Sequence, residues 1–248
     1  MAGHSKWANI KHRKGRQDAV RGKVFTKIAK EIFLAAKAGD PNPEKNITLA
    51  NAIERARAAN MPRDNIERAI KKATGELGGV MYEELQYEGY GPAGVAILLR
   101  IITDNKNRAA SEIRHIFAAY GCSLEGSVAW MFERRGVITL LTAKLSIDKD
   151  LLLMSVIDLG AEDIQEKEGE IEIYCDPHAL RAVREALEKQ GISIERAEAT
   201  LVPKNTVHVE GADAQKVLRF IEKLDDQEDV QEVYANFDIP EEVLQQVG

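Results

Sequence analysis

The 248-residue chain is poor in cysteine, proline and aromatic residues, and it has no long apolar run. Its two cysteines, Cys122 and Cys175, make no disulfide scaffold and no CxxC pair, so reduced thiols are expected. No stretch approaches the roughly 18–20 apolar residues that cross a bilayer, so no membrane partner is expected. The N-terminus is basic, but no apolar segment follows it as a secretory signal requires. GxxxxGK with Ser or Thr, GxSxG and HExxH are all missing. The five histidines (His4, His12, His115, His178 and His208) lack metal-ligand spacing. No catalytic constellation remains, and the expectation is a protein that is not an enzyme and holds no cofactor and no metal.

What is present is enough apolar material for real cores, 44% of residues, with 30% charged. The formal net charge of −6 hides a division. Residues 1–72 carry 17 Lys+Arg against 7 Asp+Glu, a net of +10, and the remainder carries −16. Such asymmetry points the basic part toward a polyanion.

Residues 1–17 have several cations, no acid and one Trp, and read as an arm. Asp18 can then cap a helix in which Val20, Val24, Ile28 and Ile32 recur at i+4, with Gly39 closing it at positive φ. A second helix is expected near Ile47–Asn60. Pro62 suits the first turn of a third ending at Gly75, with Ile66, Ala69, Ile70 and Ala73 inside.

Beyond Gly79 strands alternate with helices. Val95–Ile102 is apolar apart from Arg100, as in a strand covered on both faces. Asn105 can cap a helix carrying Ile113, Phe117 and Tyr120, and Ser127–Phe132 is strand-like. The β-α-β order recurs through Val137–Lys167, Glu170–Leu201 and Thr206–Phe237. Four such units are two ferredoxin-like βαββαβ sheets, so the fold class is α+β and multidomain. Periodicity leaves open whether the middle pair is inserted within the outer pair; contact between Val95–Ile102 and Val230–Phe237 would mark the nested case.

Gly89, Gly91 and Gly94 spell GxGxxG, but no strand-to-helix context surrounds them, and a tight turn between strands is the better account. Asp225, Asp226, Glu228 and Asp229 form an acidic cluster, expected to be a solvated helix-to-strand turn. Trp130 and Phe132 are expected to point into the core.

The arm stands out. Lys6, Lys11, Arg13, Lys14, Arg16, Arg21 and Lys23 lie close together around Trp7. Cations that neutralise phosphates release counterions, and an exposed Trp can stack on an unpaired base. The outer faces of the bundle add Arg55, Arg57, Arg63, Arg68, Lys71 and Lys72.

Met1–Lys14 (MAGHSKWANIKHRK) resembles the N-terminal signature of the YebC/PmpR family. The resemblance continues through Asn60–Lys72, Tyr87–Val95, Thr103–Arg108, Gly126–Ala129 and Val233–Ile239, and covers essentially the whole chain. Two departures show: Ala93 replaces a usual glycine, and Gly121–Gly126 is shorter than the usual glycine-rich loop. The resemblance implies the nested arrangement, with a basic arm and helical domain over 1–78. It places a discontinuous α/β domain over 79–134 and 205–240, and an inserted α/β domain over 135–204. It also implies a cytoplasmic DNA-binding transcriptional regulator using the arm and helical domain, His4 among the contacts. The alternative is a ribosome-associated translation factor contacting ribosomal RNA. Duplex DNA or ribosomal RNA is thus the expected partner, and the acidic α/β domains could dock a protein. A third reading, from another class, is a small-ligand or oligomerisation module with an incidental arm.

Overall fold

The computed structural model describes residues 18–78, 81–145, 149–167, 169–240 and 243. Three helices come first: α1 (Asp18–Ala38), α2 (Ile47–Ala58) and α3 (Arg63–Ala73). Asn46 caps α2 by accepting the Leu49 N–H at 3.0 Å. Ile32, Leu49, Ala52, Ile53, Ala56, Met61, Ile66 and Ala69 form the helical core, with Phe25, Ile28, Ile70 and Ala73 packed against it. The inner face expected for α3 is therefore the inner face found. Gly39 does not adopt positive φ. A Cβ there would lie 2.8 Å from the Asn46 amide, so close approach, not a left-handed turn, calls for glycine.

The α/β part begins with β1 (Glu83–Tyr90), which pairs antiparallel with β2 (Ala96–Thr103), Gly89 opposite Ile97. The turn reading implies a strand before β2, but its range was not legible in the sequence: the charged run EELQYEGY is a strand because β2 offers it a ladder. A 3-10 turn, Pro92–Gly94, joins the two strands, so the glycine string is a hairpin turn. Gly91 sits where a Cβ would lie 2.8 Å from the Phe220 ring. Ala93 occupies the left-handed region at φ 58°, ψ 18°, which costs an L-residue about 1–2 kcal/mol.

Next comes α4 (Lys106–Ala119), capped by Asn105, with Ala109, Ile113, Ile116 and Phe117 buried. The chain then builds β3 (Phe132–Leu141), α5 (Lys149–Asp158), β4 (Ala161–Lys167), β5 (Glu170–Cys175), α6 (Leu180–Lys189) and β6 (Arg196–Pro203). These strands form one sheet ordered β4-β5-β3-β6, the ferredoxin-like arrangement of a βαββαβ unit. Ile138, Leu140, Leu152, Val156, Ile171, Ile173, Val183 and Leu187 fill its core.

The chain closes with β7 (Val207–His208), α7 (Gly211–Asp225), β8 (Val230–Ala235) and β9 (Phe237–Asp238). β8 pairs antiparallel with β2, Leu98 opposite Tyr234, so the two ends of the larger α/β region meet across the insertion. The described residues form two compact units, 130–205 and the remainder.

The α+β multidomain class and the nested connection hold, with differences in detail. The main sheet of the larger unit is β1-β2-β8, while β7 pairs in parallel with β9 outside it. Ser127–Phe132 is not a strand of that sheet; residues 129–131 form a 3-10 turn and β3 starts at Phe132. The cause is Glu88, whose Oε2 accepts the N–H groups of Val128 at 2.7 Å and Ala129 at 2.9 Å, donors that a ladder would need. Burial would raise the Glu88 carboxyl, but these backbone donors hold it below the usual range. Trp130 is 61% exposed, so it does not enter the core; Phe132, at 5%, does.

Candidate nucleic-acid interface

The cations of the helical domain fall into groups with different neighbours. On α1, Lys23, Lys27 and Lys30 stand at i, i+4 and i+7, one stripe of the helix. Their ammonium groups meet the acidic turn after α7. Lys23 reaches Asp226 at 3.2 Å, Lys27 reaches Asp225 at 3.3 Å and its carbonyl at 2.7 Å, and Lys30 reaches Asp229 at 2.7 Å. The expected solvated turn is thus corrected: three of its acids receive lysines.

The burial of these pairs is graded. Lys23 and Asp226 keep about half their side chains in solvent, at 55% and 53%, whereas Lys30 and Asp229 are each 5% exposed. Asp229 also accepts from Arg108 Nη2 and from the Thr103 hydroxyl, both at 2.9 Å, and Lys30 donates to the Glu228 carbonyl at 2.9 Å. Burial alone would raise the Asp229 carboxyl; hydrogen bonds from Lys30, Arg108 and Thr103 hold it below the usual range.

A second ionic cluster surrounds Arg100, the one charged residue of β2. It binds Glu84 at 2.5 Å, Glu31 at 3.2 Å and Glu232 at 3.9 Å, and Arg55 joins through Glu31 at 2.7 Å. Burial pushes the Glu31 carboxyl up despite Arg55 and Arg100.

His4, Lys6, Trp7, Lys11, Arg13, Lys14 and Arg16 lie outside the described residues, and of Arg21 only its place in α1 is described. Lys23 and Arg55 are in the ion pairs above, and Arg63 pairs with Glu67 along α3 at 2.7 Å. Among the described residues, Arg57, Arg68, Lys71 and Lys72 are exposed and make no ion pair. Arg68, Lys71 and Lys72 stand at i, i+3 and i+4 on α3 and so share a face.

Beside that face a groove of about 250 Å³ opens between α1 and α3. Phe25, Thr26, Ala29, Asn65, Arg68, Lys72 and Tyr82 are among its lining. Phe33, almost fully buried, meets Tyr82 edge to face at 5.1 Å, and Lys30 Nζ stands 5.8 Å from the Tyr82 ring centre. Phe25, Asn65 and Tyr82 are half-buried. Sequence reasoning missed this groove, because its walls come from two helices and from Tyr82 ahead of β1. It also missed Lys27 and Lys30, though their spacing with Lys23, set against the 225–229 acids, was a usable signal.

Other chemistry is sparse. No group of three or more His, Cys, Asp or Glu suited to a metal occurs among the described residues. Burial pushes the thiols of Cys122 and Cys175 up, away from the reactive thiolate. No described helix is long and apolar enough to cross a membrane.

Two family models cover most of the chain: the TACO1/YebC protein N-terminal domain matches residues 5–76, and the TACO1/YebC second and third domain matches 82–237. A probable transcriptional regulatory protein of Dictyoglomus turgidum is 53% identical over 250 residues, covering 100% of both chains. Its namesake in Thermotoga maritima is 53% identical over 249 residues, covering 100% of this chain and 98% of its own. The crystal structure of a conserved hypothetical protein from Aquifex aeolicus aligns with TM-score 0.78 and 48% identity, over 92% of this chain and 94% of that one. Matched in both regions and closely related to proteins of equal length, the chain belongs to the TACO1/YebC family.

Proposed function

We propose that this chain is a cytoplasmic regulator of gene expression that binds duplex DNA and acts on transcription, with no chemical step of its own. The observation that carries this is the α3 face: Arg68, Lys71 and Lys72 are exposed, share one side and make no ion pair among the described residues. Cations left in water are those that release phosphate counterions on binding. Arg57 and the basic arm enlarge the surface, the arm by its composition alone. The names of the relatives, probable transcriptional regulatory proteins, support the same reading. The acidic α/β domains are proposed to dock a protein partner. Ribosomal RNA is the second reading, favoured by the aromatic groove beside the cations, because RNA loops offer unpaired bases.

Affinity of the full chain for duplex DNA and for a ribosomal RNA hairpin over a salt series tests the proposal. Log K should fall with log salt, and glutamine at Arg57, Arg68, Lys71 and Lys72 should flatten the duplex slope by about 0.9 per lost phosphate contact. A slope that these changes leave untouched sinks the proposal. Salt-sensitive co-sedimentation with ribosomes, without tight binding to duplex, would move the target to ribosomal RNA.

A further inference from the structure

We propose that the groove between α1 and α3 seats one unpaired nucleotide of a single-stranded nucleic acid, its base against Phe25 and Tyr82 and its phosphates on Arg68 and Lys72. The inference rests on the nucleic-acid reading and sharpens it to a ligand class.

Four observations lead to it. The groove's two aromatic walls, Phe25 and Tyr82, are only half-buried, unlike Phe33 behind them at 2% exposure. An aromatic face left partly in water beside cations is what base stacking uses. Ala29 and Ala69 are also in the lining, and their small side chains take up little of the groove. Asn65, half-buried in the lining, makes no side-chain hydrogen bond to the described residues. Its amide can both donate and accept, as the edge of a base requires.

The fourth observation is the division of cations. Lys30 also lines the groove, but its ammonium is committed to Asp229 and the Glu228 carbonyl. Arg68 and Lys72, at i and i+4 on the α3 side, are exposed and free of ion pairs among the described residues. The groove therefore has a neutral aromatic interior and a cationic margin on one side. A paired base, stacked within a duplex, cannot enter it. A base from a loop or a single strand can.

The test uses the full chain with oligo-uridine and oligo-thymidine strands of about twelve nucleotides, within the site sizes such proteins cover, and a duplex of equal length. Phe25→Leu should weaken both single strands by roughly tenfold or more while changing duplex binding little. Asn65→Ala, outside the apolar core, should show the same preference without altering the melting temperature. Arg68→Gln with Lys72→Gln should weaken single strands and flatten their salt dependence. A strand carrying 5-iodouracil should crosslink to Phe25 or Tyr82 of the unmodified chain, a readout that needs no variant. The two single strands distinguish RNA from DNA as the source of the nucleotide. Equal losses on strand and duplex for Phe25→Leu and Asn65→Ala, no loss at all, or crosslinks confined to other segments would overturn the groove assignment while leaving nucleic-acid binding intact. An unmodified chain that binds neither strand nor duplex overturns both readings together.

Discussion

The α1 and α3 faces of the helical domain carry similar cations with opposite uses. On α1, Lys23, Lys27 and Lys30 are met by Asp226, Asp225 and Asp229. On α3, Arg68, Lys71 and Lys72 are exposed without ion pairs among the described residues. The charge of a segment therefore overstates what it offers a partner. Part of the +10 of residues 1–72 holds the helical domain to the α/β sheet, and only the remainder can meet phosphate. The acidic turn acts here as the internal counterion of α1.

Removing a buried partner should break the contrast most. Asp229→Ala leaves the buried Lys30 ammonium without its carboxylate, while Arg108 keeps Asp104 at 2.7 Å, and an uncompensated buried charge costs about 3–5 kcal/mol. Denaturant unfolding should show that loss, and hydrogen exchange should show α1 opening against β8. Acid should reproduce part of it. Because the Asp229 carboxyl titrates below its ordinary value, its stabilisation is complete above about pH 4 and fades as the pH falls through the folded value. Asp229→Asn should flatten that acid limb of the stability curve; an unchanged limb assigns the dependence to other carboxylates. Lys23→Gln should cost about 0–1 kcal/mol, because its pair with Asp226 is half in solvent. The smallest stability effect belongs to α3. Glutamine at Arg68, Lys71 or Lys72 should stay within about 0.5 kcal/mol of the parent in thermal melting while weakening nucleic-acid binding. A large stability loss there would show that the α3 cations, too, are structural.

Much of the framework was legible. The i+4 stripe of α1, the cap Asn105 and the largely apolar β2 all declare themselves locally, since helix periodicity and capping act within a few residues. Elements whose reason is distant were misread or missed. β1 is charged and exists by pairing with β2. Residues 129–131 lose their strand to the carboxylate of Glu88, about forty positions earlier. Trp130 looked like core because size and aromaticity suggest burial, yet it is 61% exposed. The candidate interface was legible as a basic segment, and no further. Which cations remain for a partner depends on acids some 200 positions away in the chain, as the Lys30–Asp229 pair shows.

By itself the sequence determined the helices and the apolar strands, the α+β class, the family and the sign of charge in each region. These depend on side-chain periodicity and composition, which need no distant neighbour. Tertiary structure alone decided which strands share a sheet, which lysines are neutralised and where an aromatic groove opens between α1 and α3. Those depend on pairing, burial and Coulomb attraction between segments that only folding brings within a few ångströms.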